Sequence, residues 1–124
     1  MTTPAPLFRA AWIALAANGI AILAFGLITL IAPPAGDRLL WRADSLATLG
    51  TGLFGLLITV FAFRQRQTWS WWAHWFYPIF WLTHLFSNLP PGKDHIHQIA
   101  FTALSLAALL VTFPLSNARV NSES

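Results

Sequence analysis

The sequence predicts an all-α fold, a polytopic membrane protein built as an antiparallel bundle of four transmembrane helices in one domain. Hydrophobic residues make up 56 % of the 124 residues and charged residues only 9 %, whereas a soluble domain carries about 25 % charged residues. Four apolar segments, separated by short polar stretches, each approach the roughly 20 residues that a helix needs to cross a bilayer. They lack the strict alternation of apolar and polar residues that is typical of membrane β-barrel strands.

The predicted helices cover residues 9–32, 45–64, 69–89 and 95–114, and a polar tail follows at 116–124. The first contains no ionisable residue from Ala10 to Ala32 and ends at Pro33 and Pro34. Its apolar run exceeds the roughly 7–15 residues of a signal-peptide core, so we expect it to be retained as a helix. Short connections between the segments predict antiparallel neighbours.

The second segment carries small residues every four positions, at Ala47, Thr51, Gly55 and Thr59. Such a ridge lets a neighbouring helix approach closely in lipid. The fourth segment is predicted to begin behind a capping Asp94, because an aspartate side chain can accept hydrogen bonds from the first amides of a helix. No Asp or Glu falls inside any predicted helix, which argues against a proton path through the protein.

The basic residues predict the orientation. With four spans, the two termini and the middle loop share one side, and the paired Arg64 and Arg66 lie in that loop. Because basic residues favour the cytoplasmic side, we expect both termini in the cytoplasm of a bacterial inner membrane, with the lipid bilayer as the main partner. Four tryptophans at the start of the third helix are typical of an interfacial anchor belt: Trp69, Trp71, Trp72 and Trp75.

The third helix carries the main candidate ligand-binding site. Five polar or aromatic residues follow one another at spacings of 3, 4, 3 and 4, which places them on one helix face: His74, Tyr77, Trp81, His84 and Asn88. Polar residues inside a membrane helix usually face the interior of the protein. The face is therefore interpreted as a hydrogen-bonded packing seam, a pocket for a small molecule or cofactor, or a proton path.

A second candidate site is a metal centre at the end of the third helix. His84 approaches the loop that contains Asp94, His95 and His97, and histidine with carboxylate suits zinc, copper or iron. The spacing matches no specific metal signature. The alternative is that His95 and His97 are solvated loop residues near lipid headgroups.

Other functions are disfavoured by what the sequence lacks. The seven Lys and Arg are scattered, whereas nucleic-acid binding needs a basic patch. There is no cysteine, and no phosphate-binding glycine loop, nucleophile elbow or H-E-x-x-H motif. We therefore expect neither nucleic-acid binding nor enzymatic activity, and most simply no cofactor.

The layout resembles the small four-helix DoxX-like bacterial membrane proteins. The resemblance extends from about Leu7 to Phe113 and rests on a first helix with Asn18, Gly19 and Gly26, a proline-terminated turn, a glycine-containing second helix and an arginine-bearing loop. It implies the four-helix membrane architecture, and no functional residue carries over. The tryptophan-dense third helix and the turn at 89–95 depart from that pattern.

Three functional hypotheses follow. The first is a non-catalytic structural protein, either a homo-oligomer or an accessory subunit of a larger membrane complex. The second is a membrane protein that binds haem, a metal ion or a quinone through His84 with His95 and His97. The third is a small-solute transporter that acts as an oligomer.

Overall fold

The computed structural model describes residues 3–87 and 95–113, and this part of the chain is helical with no strand. Asn88 and Asp94, named above as candidate site residues, lie outside the described residues. We number the helices in chain order: α1 Ala5–Ile31, α2 Arg38–Ile58 with a π-helical turn at Thr59–Phe63, α3 Thr68–His74, α4 Phe76–Ser87 and α5 Ile96–Val111.

Helix α2 begins at Arg38 rather than at the predicted residue 45. The reason is its cap: the Asp37 carboxylate accepts hydrogen bonds from the amides of Leu39 at 2.9 Å and Leu40 at 3.2 Å, which satisfies amides that have no partner inside the helix. The earlier start puts Asp44 inside the helix. The prediction that no carboxylate lies within a helix was therefore wrong.

The C-terminal end of α2 widens into the π-helical turn. The Arg64 amide bonds to the Thr59 carbonyl at 2.9 Å, five residues back, where an α-helix would bond four residues back. Short π-helical insertions of this kind occur frequently at functional sites. Here the wider turn begins at Thr59, whose side chain is fully buried.

The third predicted helix, 69–89, is broken at Trp75 into α3 and α4. Pro78 has no amide hydrogen, so the carbonyl of His74 loses the donor that an unbroken helix would provide. At the break, the Trp75 amide donates to the Trp72 carbonyl, three residues back, at 3.2 Å. The break therefore lies one turn before Pro78, where the missing amide leaves the helix without a hydrogen bond.

Helices α1 and α2 pack antiparallel with close backbone approach. A methyl group placed on Gly52 would lie 2.7 Å from the backbone nitrogen of Leu23, and one on Gly26 would lie 2.9 Å from that of Leu49. We call this contact the α1–α2 seam. Small residues allow this close approach, but they are Gly26 and Gly52, whereas the predicted ridge of Ala47, Thr51, Gly55 and Thr59 faces α3 and α4.

Helix α5 completes the helical layer against α1 and α4. The Asn18 amide reaches the Phe101 carbonyl at 3.5 Å, and the Trp71 indole donates to the Leu109 carbonyl at 3.0 Å. Trp71 is thus a buried core residue, whereas Trp69 and Trp72 point outward as an anchor belt requires. The four predicted helical segments are all present.

The outer face of the described residues is rich in exposed apolar side chains. It carries many Leu, Ile and Phe residues, while the interior combines an apolar core that includes Leu15, Ile22 and Leu109 with Asn18, Gln98 and a series of buried Ser and Thr residues. Two helical stretches, Ala5–Ile31 and Arg38–Phe63, are long and apolar enough to cross a membrane, and Ile96–Val111 is a shorter apolar helix.

Candidate functional site

The interface between α2 and the broken helix α3–α4 has two polar contacts with a cavity between them. Asp44 meets His84 at one end of this interface, and Thr59 meets His74 at the other. The cavity has a volume of about 450 Å³. We call it the cleft, and its lining residues are Ala47, Gly50, Thr51, Phe54, Gly55, Ile58, Ala73, His74, Phe76 and Tyr77.

Local sequence explains why α2 leaves room for the cleft. The side of α2 that faces it presents small residues, and a methyl group placed on Gly50 would meet no atom within 4 Å. Phe76 and Tyr77 of α4 line the opposite side.

His74 is held by hydrogen bonds on both ring nitrogens. Its Nδ1 lies 2.7 Å from the Ser70 carbonyl and its Nε2 lies 2.7 Å from the Thr59 hydroxyl. A carbonyl only accepts, so Nδ1 carries a hydrogen. Thr59 also reaches the Gly55 carbonyl at 2.7 Å. The residue is 2 % exposed, so this network fixes the ring at the edge of the cleft.

His84 makes the corresponding contact at the other end. Its Nδ1 lies 2.9 Å from the Phe80 carbonyl, and its Nε2 lies 2.6 Å from the Asp44 carboxylate. Both side chains are largely shielded, with 10 % of His84 and 14 % of Asp44 exposed. Since both ring nitrogens of His84 are engaged, neither has a free lone pair for haem iron or another metal in this arrangement.

Tyr77 crosses from α4 to the backbone of α2 and α1. A methyl group on Gly55 would overlap its phenol ring, and one on Gly19 would lie 2.8 Å from its hydroxyl oxygen. The hydroxyl is buried and has no hydrogen-bond partner among the described residues. Two glycines thus create the space that a single bulky side chain fills.

Trp81 lies in ring contact with both His84 and His97, at centroid distances of 5.5 and 5.8 Å. It also packs on Phe101 with ring centroids 4.9 Å apart. His97 stacks on Phe25 at 4.6 Å, and His95 lies 2.9 Å from the Gln98 side chain. Within residues 3–87 and 95–113, no group of three or more His, Asp or Glu side chains is placed to hold a metal ion. The predicted set also includes Asp94, which lies outside those ranges.

The spacing along the third predicted helix pointed to five residues on an inward face, and four of them are buried: His74, Tyr77, Trp81 and His84. It missed Asp44 and Thr59, the partners on α2. The available signal was the four-residue spacing of Asp44 with Thr48, which continues the polar side of α2. That signal was hidden by the expectation that the helix begins at residue 45.

No family model matches the chain, and neither a curated protein nor a solved structure matches it. The resemblance to DoxX-like proteins therefore stays a prediction.

Proposed function

We propose that the protein is an integral membrane protein whose α1, α2, α3–α4 and α5 each span a bacterial inner membrane. The observation that supports this proposal is the apolar exterior together with the buried polar side chains, because lipid accepts apolar surface and polar residues of membrane helices usually face the protein interior. Charges also support it. Arg9, Arg64 and Arg66 gather at one end of the helices, and Asp37 and Arg38 lie at the other.

Contacts at the first of these ends bring the N-terminus and the middle loop together. The Arg66 guanidinium lies 3.9 Å from the centre of the Phe8 ring and 3.5 Å from the Thr3 carbonyl, and the Thr3 hydroxyl donates to the Val111 carbonyl at 3.4 Å. Because basic residues favour the cytoplasmic side, we propose that this end faces the cytoplasm.

Single-cysteine labelling tests the topology, since the sequence contains no cysteine. A membrane-impermeant maleimide should label Ala35→Cys in spheroplasts without permeabilisation. It should label Gln65→Cys only after permeabilisation. Both positions are exposed. The reverse pattern would overturn the orientation, and release of the protein from membranes by alkaline carbonate would overturn the membrane assignment.

We further propose that the protein acts by binding a largely apolar, lipid-soluble molecule in the cleft and has no catalytic activity of its own. The volume of about 450 Å³ falls within the roughly 300–1,000 Å³ of small-molecule sites. The cleft lies between two proposed spans, so its occupant would arrive through the lipid. A quinone belongs to this ligand class, whereas the engaged nitrogens of His74 and His84 do not support haem or metal ligation.

The test is to extract the protein purified in mild detergent and to identify the released molecules by mass spectrometry. Gly50→Leu should fill the cleft without a clash, because the glycine faces open space, and should lower the amount of bound molecule. Ala103→Leu, at an exposed position of α5, is the matched control. Equal amounts of the same molecules on wild type and Gly50→Leu would refute binding in the cleft.

A specific observation also favours the homo-oligomer hypothesis. A shallow groove of about 180 Å³ between α1 and α5 is lined mainly by small side chains, and such surfaces allow close helix packing in lipid. Its alanines are Ala10, Ala11, Ala14, Ala107 and Ala108. Disulfide cross-linking of Ala107→Cys in membranes should give a dimer, and the exposed Phe61→Cys should not.

The accessory-subunit and transporter hypotheses stay predictions.

A further inference from the structure

Two arginines of the loop after α2 lie on aromatic rings of α1. The Arg64 guanidinium carbon lies 5.2 Å from the centre of the Trp12 ring, and that of Arg66 lies 3.9 Å from the centre of the Phe8 ring. Such cation–π contacts attract the charged group to the ring and limit where the long side chain extends. Together with Arg9, the exposed neighbour of Phe8 on α1, the two residues form what we call the arginine patch.

Arg66 also has an unusual backbone conformation. Among the described residues it is the one non-glycine residue with a positive φ, 59°, which lies in the left-handed region that favours glycine. Its amide donates to the Phe63 carbonyl at 2.8 Å, and the Gln67 amide donates to the Ala62 carbonyl at 3.1 Å. These two bonds form a Schellman motif, in which the position of Arg66 is usually occupied by glycine. An arginine there is costly for the backbone, and what it adds is a guanidinium above Phe8.

The arginine patch has no carboxylate beside it within residues 3–87 and 95–113. The acidic residues of these ranges are Asp37 and Asp44, which lie at the start of α2, whereas Arg64 follows its end. A guanidinium has five N–H donors, and the hydrogen bond described for these groups is the one from Arg66 to the Thr3 carbonyl, at 3.5 Å. Most donors of the patch can therefore bind a further anion.

Neighbouring tryptophans indicate the depth of the patch in the proposed membrane. Trp69 and Trp72 are 50 % and 63 % exposed, and the Trp69 indole donates to the side chain of Gln67, the residue after Arg66, at 2.6 Å. Exposed tryptophan prefers the level of the lipid headgroups. Phospholipid phosphates lie at the same level, and arginine binds phosphate through two parallel N–H bonds.

We propose that the arginine patch binds the headgroup of an anionic phospholipid, whose phosphodiester accepts hydrogen bonds from Arg64 and Arg66. A lipid fits better than free phosphate, because exposed apolar side chains next to the patch, including Ile13 and Phe61, can contact its acyl chains. No bond is made or broken. The proposal rests on the proposed membrane location and needs no ligand in the cleft.

The test is native mass spectrometry of the full chain, purified in mild detergent, with dioleoyl phosphatidylglycerol or dioleoyl phosphatidylcholine added at equal concentrations. We expect tighter binding of phosphatidylglycerol. Arg64→Gln and Arg66→Gly should each weaken it about fivefold, which corresponds to the roughly 1 kcal/mol that a basic residue contributes near an anionic membrane. Neither change should alter the binding of phosphatidylcholine. Arg42→Gln, which removes an exposed arginine near the other end of α2, is the matched control and should keep full binding.

Arg66→Gly separates the loss of the guanidinium from the loss of the turn. Glycine is the usual residue at this position of a Schellman motif, so the turn should be retained and the circular dichroism spectrum unchanged. Equal binding of the two lipids by the wild type would overturn the proposal, and so would full binding of phosphatidylglycerol by both arginine variants. Displacement of the lipid by excess inorganic phosphate would assign the patch to free phosphate and overturn the lipid assignment.

Failure of this proposal is distinguishable from failure of the proposals above. Membrane insertion is measured separately, by resistance to alkaline carbonate. Gly50→Leu should keep the preference for phosphatidylglycerol even where it lowers the amount of molecule bound in the cleft, because Gly50 lines the cleft and lies outside the arginine patch. Loss of that preference in Gly50→Leu would place the anionic lipid in the cleft and overturn its assignment to the patch.

Discussion

Helix α2 packs against two neighbours in opposite ways. Against α1 it forms the α1–α2 seam, where Gly52 and Gly26 let the backbones approach so closely that a methyl group would meet a backbone nitrogen within 3 Å. Against α3–α4 it makes two polar side-chain contacts and leaves the cleft between them. In lipid, dispersion between close backbones and hydrogen bonds between polar groups both hold helices together. Both interactions occur on α2, because Ser45 also donates a hydrogen bond to Thr29 across the α1–α2 seam at 2.7 Å. The difference is that only the side facing α3–α4 leaves a cleft.

The largest effect is expected from breaking the Asp44–His84 contact. His84→Ala leaves a part-buried carboxylate without its partner, and losing a hydrogen bond to a charged group costs about 1.5–3 kcal/mol. The free energy of unfolding, measured by titration with sodium dodecyl sulfate and tryptophan fluorescence, should fall by about that amount. The control Thr83→Ala should change it little, because Thr83 is exposed and bonds only within its own helix.

A double-mutant cycle sharpens this prediction. Asp44→Ala combined with His84→Ala should lose less stability than the sum of the single changes, because the second change removes the unpaired group that the first one created. Strict additivity of the two losses would contradict a direct contact between the helices.

A somewhat smaller loss is expected from breaking the α1–α2 seam. Gly52→Leu forces a side chain against the Leu23 nitrogen and the Gly19 carbonyl oxygen, at 2.7 and 3.0 Å from the new Cβ, and overpacking costs about 1–3 kcal/mol. Gly50→Leu, two residues earlier on the same helix, meets open space. It should be neutral or stabilising by up to about 0.8 kcal/mol, because glycine is a poor helix former. Equal losses in the two variants would contradict the contrast between seam and cleft.

The sequence was sufficient for the parts of this comparison that depend on local pattern. The lengths of the apolar segments and the prolines that separate them predicted the four helical segments. The spacing of His74 and His84 predicted that both side chains are buried. The start of α2 was missed because the stretch from Arg38 to Asp44 contains charged residues. In the structure Asp37 caps the helix, and these residues form its first turns.

The remaining features depend on contacts between helices that no local pattern contains. Nothing around Thr59 marks the extra residue of the π-helical turn, which aligns its hydroxyl with His74. Likewise, the expected convergence of His84, His95 and His97 depended on proximity along the chain. In the structure His97 stacks on Phe25, and His84 is engaged by Asp44, which is distant in sequence.

Thr59→Val tests the other polar contact with a nearly isosteric change. It removes the hydroxyl that serves the buried His74, and leaving a buried polar group unsatisfied costs about 1–3 kcal/mol. We expect a loss near the lower end of that range, since the His74 ring keeps its bond to Ser70. Thr51→Val is the matched control, because the Thr51 hydroxyl bonds only to the Ala47 carbonyl of its own helix. A loss in Thr51→Val as large as in Thr59→Val would contradict a specific contact with His74.

The smallest expected effect is that of Tyr77→Phe, for which the sign of the change in the free energy of unfolding is the informative result. Tyr77→Phe deletes a buried hydroxyl that has no partner among the described residues. If that hydroxyl were truly unpaired, its removal would relieve a desolvation penalty of about 1–3 kcal/mol and raise the free energy of unfolding. If it binds internal water, removal costs about 0.5–1.5 kcal/mol, the net value of a typical hydrogen bond. We expect the loss. Because the phenyl ring still fills the space beside Gly55 and Gly19, packing changes little, and a gain in stability would argue that this part of the interface is dry.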